Sequence, residues 1–254
     1  MNTRTIKWFT KFVTSLIERN KKLKEIRQMK QTMPWQEYRP TVDKELHEWL
    51  TPLINMAGVD FVVKGQEKIP VDGPVIFTPN HSGAFDIPAI VLTTTKSPIF
   101  MAKKELGKIP LLKSWMDAVD CVFVDRANKQ SAHSSLQNAI DAVNDGRSLV
   151  IFPEGTRSKT GELGEFRGGA MKIAMETGAT VVPVLIEGTR ERLEETGDIT
   201  SGTVYVTYLD PIATTGLTKE DFYKMPSQIR ALLQNERDKQ RAEKSKEIKA
   251  DIVE

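Results

Sequence analysis

Two short stretches of the chain carry residue types suited to acid–base and anion chemistry. The first is Asn80-His81-Ser82-Gly83-Ala84-Phe85-Asp86. It follows Val75-Ile76-Phe77-Thr78, an apolar run of buried-strand character. It precedes Ile87-Pro88-Ala89-Ile90-Val91-Leu92, a helix start with Asp86 as N-cap and Pro88 in the first turn. A histidine thus ends a strand and a carboxylate opens a helix, with Ser82 and Gly83 allowing a tight turn between them. A carboxylate on one imidazole nitrogen fixes the tautomer and frees the other nitrogen to take a proton. Taken alone, the stretch fits equally a general base with its orienting partner, or a loop histidine beside a helix-capping aspartate.

The second stretch follows another apolar run, Leu149-Val150-Ile151, and reads Phe152-Pro153-Glu154-Gly155-Thr156-Arg157-Ser158. Pro153 stiffens the strand exit and Gly155 permits a tight turn. Arg157 offers a planar fork that suits phosphate. Arg167-Gly168-Gly169-Ala170-Met171-Lys172 opens a further helix, whose free amides favour an anion, and Arg126 follows the strand Val122–Val124. Simpler pairings exist, Arg157 with Glu154 and Arg126 with Asp125. They leave unexplained why the arginines and the histidine all fall just past strand ends, which a parallel sheet gathers on one edge.

The elements that must position these groups are legible from Val59 onward. Strands are expected at 59–63, 75–79, 99–101, 121–125, 149–152, 181–186 and 203–209, and helices at 86–95, 110–118, 131–145, 168–178 and 219–224. This alternation predicts an α/β fold with a mostly parallel or mixed central sheet of about seven strands flanked by helices. The α/β domain is expected over 58–225. A charged C-terminal helical tail follows over 226–254, amphipathic at Ile229, Leu232 and Leu233 and solvated from Asn235 to Lys249. Ahead of the domain, residues 1–57 read as two amphipathic helices. The first, 3–30, carries Ile6, Trp8, Phe9, Phe12, Val13, Leu16 and Ile17 on one face beside Arg4, Lys7 and Lys11. The second, about 42–57, follows a segment broken by Pro34 and Pro40 and ends at Gly58. Aromatics opposite lysines describe a helix lying in a bilayer interface; the competing reading packs that face on the protein's own body.

Charge distribution supports a polyanionic partner. Residues 1–40 hold ten Lys/Arg against three Asp/Glu, a net of +7, while the rest hold 26 against 31, a net of −5. Anionic lipid and nucleic acid both fit such a basic end, but no nucleic-acid-binding motif is present. The lone cysteine, Cys121, excludes an internal disulfide and lies in an apolar run as an inert thiol. No apolar window reaches the ~18 residues of a membrane span, and Lys7, Lys11 and Glu18 interrupt any signal-peptide core. His47 and His133 sit among polar or small neighbours and read as solvated.

Taken together, Asn80-His81-x4-Asp86 and Phe152-Pro153-Glu154-Gly155-Thr156-Arg157-Ser158, in this order and spacing, resemble the motifs of the glycerolipid acyltransferases, most of all the bacterial lysophosphatidic acid acyltransferases. A third block, Lys103-Lys104-Glu105-Leu106 with Ile109-Pro110 and Phe123-Val124-Asp125-Arg126, and a fourth, Val181-Val182-Pro183-Val184, extend the resemblance over about 59–212. Ser114 and Asp120 stand where the family usually has glycine, which weakens the placement of Arg126. The resemblance implies acyl transfer from a thioester, coenzyme A or acyl carrier protein bound, to the sn-2 hydroxyl of lysophosphatidic acid. It implies His81 as general base oriented by Asp86, and Glu154, Gly155, Thr156, Arg157, Arg126, Arg167 and Lys104 as substrate-binding residues. It implies no bound cofactor or metal, and a peripheral location on the cytoplasmic face of the cell membrane. Glycerol-3-phosphate or another lysophospholipid is the alternative acceptor. A non-catalytic membrane-binding protein is the rival from another class, and the presence of both His81 and Asp86 argues against it.

Overall fold

A computed structural model describes residues 1–125 and 129–251. Seven strands form one sheet: β1 (Val59–Lys64), β2 (Val75–Pro79), β3 (Ile99–Lys103), β4 (Val122–Val124), β5 (Leu149–Val150), β6 (Thr180–Glu187) and β7 (Gly202–Tyr208). Their order is β1-β7-β6-β2-β5-β3-β4, and every neighbouring pair is parallel except β6–β7. The C-terminal ends of β6, β2, β5, β3 and β4 therefore share one edge. His81 follows β2 there, and the Pro153–Ser158 loop follows β5.

Strand periodicity divides the core into two layers. Ile76, Ile99, Leu149 and Val181 face one side and meet α6 (Lys129–Asn144), α7 (Gly169–Thr177) and α8 (Lys219–Asp251). Val75, Phe77, Phe100, Val150 and Val182 face the other and meet α4 (Asp86–Thr93) and the end of α3 (Trp35–Ala57). These strands are buried on both faces, which is why they read as continuous apolar runs.

Three helices, not two, make up the N-terminal segment: α1 (Thr3–Glu18), α2 (Asn20–Thr32) and α3. Pro34 is the true break. Pro40 lies inside α3, where it forfeits one exposed backbone hydrogen bond while Tyr38, Arg39 and Val42 stay buried around it. The apolar stripe of α1 is split. Leu16 is buried with Leu23, Ile26, Val42, Leu46 and Trp115, the last from α5 (Pro110–Ala118). Ile6, Phe9, Val13 and Ile17 face outward, 38–59% exposed. The C-terminal segment also departs from expectation. α8 continues unbroken through Pro226, and its residues Phe222, Met225, Ile229 and Leu233 enter the core. Arg237 and Gln240 are buried rather than solvated: Arg237 pairs with Glu187 at 2.6 Å and Gln240 donates to Thr207 at 2.9 Å. Arginine and glutamine hide such burial from a composition reading because their partners lie on β6 and β7. Among the described residues, no helix is long and apolar enough to cross a membrane.

Candidate active site

β2 ends at Pro79, and Asn80 locks the exit. Its side chain is fully buried, accepting from Ile186 N at 2.7 Å and donating to Ile186 O at 2.9 Å. Asn80 thus satisfies the backbone of β6 as one more strand residue would. The chain then turns, and Asp86 comes back onto the histidine: His81 Nδ1 lies 2.7 Å from Asp86 Oδ2. Asp86 has no exposed surface, and Oδ2 also accepts from the backbone N–H groups of Ser82 and Gly83 at 2.8 and 2.9 Å. A buried carboxylate with those donors acts as an acceptor toward the ring, so Nδ1 is the nitrogen that donates to it and Nε2 is the ring nitrogen left for proton exchange. Nε2 has no hydrogen-bond partner among the described residues.

The second loop braces the histidine from the other side. Glu154, after β5, accepts from His81 N at 2.8 Å through Oε1 and from Gly164 N at 3.1 Å through Oε2. Ser158 N donates to His81 O at 2.8 Å. Both backbone polar groups of His81 are therefore held by the Glu154–Ser158 segment, and its ring stacks on Phe152 with centroids 4.1 Å apart. Gly155 adopts φ of +75°, the left-handed turn for which a glycine is suited. Its N–H is spent on Phe152 O at 3.0 Å. Burial pushes the Glu154 carboxyl up, while the N–H groups of His81 and Gly164 pull it back down.

An apolar cavity of about 740 Å³ opens beside His81. Trp8, Phe12, Trp49, Phe85, Phe100 and Trp115 line its walls, and Arg157, Arg167 and Lys103 join His81 among its polar lining. Trp8 of α1 stacks on Phe12 and touches Phe85, centroids 5.8 Å apart, so the N-terminal helix rests on the histidine–aspartate loop itself. Arg39, Pro98, Val119 and Cys121 also line the cavity. Burial raises the Cys121 thiol to about 12, which leaves it a poor nucleophile near neutrality.

The residues expected to contact substrate divide into two groups. Gly155, Thr156, Arg157 and Arg167 line the cavity; Glu154 and Lys104 do not. Glu154 is a brace for His81, and Lys104 pairs with Asp125 at 3.0 Å. Arg126 lies outside the described residues. Arg157 pairs not with Glu154 but with Glu194, at 2.5 Å. His47 and His133 are exposed and do not line the cavity. Among the described residues there is no cluster of three metal-ligating side chains.

Sequence reading missed two residues, both on the segment after β6. Thr189 is fully buried and donates through Oγ1 to Asp86 Oδ1 at 2.5 Å. Glu194 Oε1 accepts from Ala84 N at 2.8 Å as well as from Arg157. A threonine and one of three closely spaced glutamates, Glu191, Glu194 and Glu195, more than 100 positions beyond the Asn80–Asp86 loop carry no local signal. The nearest hint was the late apolar strand that precedes them.

The chain is similar in sequence and in fold to acyltransferases of known name. The chain is 36% identical over 135 residues to a 1-acyl-sn-glycerol-3-phosphate acyltransferase of Borreliella burgdorferi, covering 53% of this chain and 54% of that one. It is 30% identical over 197 residues to the enzyme of that name from Saccharomyces cerevisiae, covering 74% and 65%. The chain spans about half to two thirds of the length of such relatives. The crystal structure of the 1-acyl-sn-glycerophosphate (LPA) acyltransferase PlsC from Thermotoga maritima superimposes with a TM-score of 0.77 at 26% identity, over 94% of this chain and 97% of that one. The acyltransferase family model matches residues 60–187, half of the chain and the whole run from β1 to the end of β6, so the chain belongs to the acyltransferase family.

Proposed function

We propose that this protein transfers a fatty acyl group from a thioester to the sn-2 hydroxyl of 1-acyl-sn-glycerol-3-phosphate, giving phosphatidic acid. The observation that carries the reading is a buried Asp86 holding His81 Nδ1 at 2.7 Å, beside an apolar cavity with arginines among its lining. His81 Nε2 takes the proton of the acceptor hydroxyl as that oxygen attacks the thioester carbonyl, and Asp86 stabilises the imidazolium. The proton then leaves with the thiolate, which departs as thiol. Arg157 and Arg167 hold the acceptor phosphate, with Gly155 and Thr156 shaping the turn beneath it. Glu154 supports the reaction by fixing the backbone of His81. Nothing in this proton chemistry calls for a bound cofactor.

Apolar walls suit a fatty chain and place little else. The outward row Ile6, Phe9, Val13 and Ile17, beside a net +7 over residues 1–40, supports docking on an anionic leaflet from one side, where a lysophospholipid resides. The purified protein should acylate lysophosphatidic acid with coenzyme A or acyl carrier protein thioesters, and His81→Ala should abolish this. Acylation of glycerol-3-phosphate in preference to lysophosphatidic acid would reassign the acceptor; no turnover with any thioester would refute the reading.

A further inference from the structure

We infer that Glu194 is a positioning residue that aims Arg157 at the acceptor phosphate and ties it to the loop bearing His81. The inference rests on the acceptor assignment proposed above. A carboxylate beside a phosphate-binding arginine is at first sight counterproductive, since it repels the ligand. The geometry shows how the conflict is avoided. Glu194 Oε1 is fixed by Ala84 N–H at 2.8 Å, so it belongs to the Asn80–Asp86 loop and not to the arginine. It engages Arg157 through Nη1 alone, at 2.5 Å. A guanidinium has five N–H donors in a rigid fork, and the Arg157 side chain is half exposed at the cavity. The remaining donors stay open to an anion, while the one shared nitrogen fixes the direction of the fork.

Two further features set Glu194 apart from an incidental surface partner. Its Oε2 is buried and accepts no hydrogen bond among the described residues, a placement that costs stability. The same oxygen lies against Gly83, where an added Cβ would stand 2.9 Å from Oε2 and 2.8 Å from Thr189 O. The loop has a glycine at the point where this carboxylate must pass. Glu194 thereby fixes the distance between the phosphate-gripping fork and the base, which decides whether the sn-2 hydroxyl reaches Nε2.

Steady-state kinetics with lysophosphatidic acid and acyl thioester test this. Glu194→Ala should raise acceptor KM about tenfold, the scale of one lost contact to a charged group, and leave donor KM unchanged. Glu194→Gln keeps the accepting oxygen and should recover most of the loss. Glu194→Asp, too short to reach both Ala84 and Arg157, should repeat the acceptor-side defect and serves if the alanine variant does not fold. In an Arg157→Ala background, Glu194→Ala should raise acceptor KM no further. An acceptor KM that stays constant or falls, or a donor KM that rises in step, would overturn the inference. A wild-type protein that fails to acylate lysophosphatidic acid would instead strike the acceptor assignment, before any Glu194 variant is compared.

Discussion

At the scale of single residues, the site is a set of carboxylates with different duties. Asp86 faces the imidazole, Glu154 holds the backbone behind it, and Glu194 directs an arginine. Thr189 completes the set by giving Asp86 Oδ1 its hydrogen bond. Without that donor, a buried carboxylate oxygen is left unsatisfied at a cost of about 1–3 kcal/mol. Thr189→Val, equal in shape, should therefore lower both thermal stability and kcat, while Thr189→Ser restores both. His81→Ala should behave differently, losing turnover by at least the roughly 10²–10⁴-fold worth of a general base with little change in melting temperature. A thermal melt beside a turnover assay separates the two, and a Thr189→Val protein with wild-type kcat would remove Thr189 from the mechanism. His81, Asp86 and Arg157 could be singled out in the sequence because strand ends and turn residues mark them locally. The sequence could not reveal that Glu154 braces His81, or that Thr189 and Glu194 belong to the site, because those roles are pairings across the sheet edge.

At the scale of elements, α1 shows how far a periodic pattern can be read. The apolar face was legible from its spacing, but its division was not. Trp8 donates to Leu53 O at 2.8 Å and stacks within the cavity wall, whereas Ile6, Phe9, Val13 and Ile17 form an outward row at helical spacing, of which Phe9 also packs edge-on against Trp8 and lines the cavity. Both halves are apolar, so only the position of α3 and α5 decides which one is covered. The inward half belongs to folding and the outward half to the proposed lipid contact. Replacing Ile6, Val13 and Ile17 by Ser should release the protein from anionic vesicles and leave its melting temperature nearly unchanged, since exposed substitutions usually cost within about 0.5 kcal/mol each. Trp8→Ser should instead destabilise the fold. Sedimentation with vesicles at rising salt gives a second check: binding weakens as lysines are screened but persists through apolar burial. Unchanged sedimentation of the threefold variant would show that the row serves another partner.

At the scale of the whole molecule, the N-terminal helices pack closely on the α/β body. Length and composition permit the division at residue 58 that the sequence suggests, because β1 begins there and the pattern changes. Packing speaks for a single unit. Arg39, nearly fully buried, donates to Pro98 O at 2.9 Å and Val119 O at 3.3 Å while pairing with Asp43 at 2.9 Å. It thereby holds the chain just ahead of β3 and β4, the strands farthest from β1. Leu16, Leu23, Ile26, Tyr38, Val42 and Leu46 are buried with Trp115 and Ala118 of α5. At about 1.5–3 kcal/mol per large apolar side chain, their burial is on the order of 10 kcal/mol, comparable with the net stability of about 5–15 kcal/mol typical of a domain. Removing residues 1–57 also strips Trp8, Phe12 and Trp49 from the cavity wall and uncovers Phe85 on the His81–Asp86 loop. The fragment 58–254 should therefore lack a cooperative thermal transition, bind a hydrophobic dye and show no turnover even on detergent-dispersed acceptor. A sharp melt and dispersed amide resonances from that fragment would show that the body folds alone and that the helices only deliver it to the lipid. Failure to fold would mean that the segment sealing the cavity is part of the core, so that the lipid contact proposed for α1 would rest on an element the site needs for its integrity.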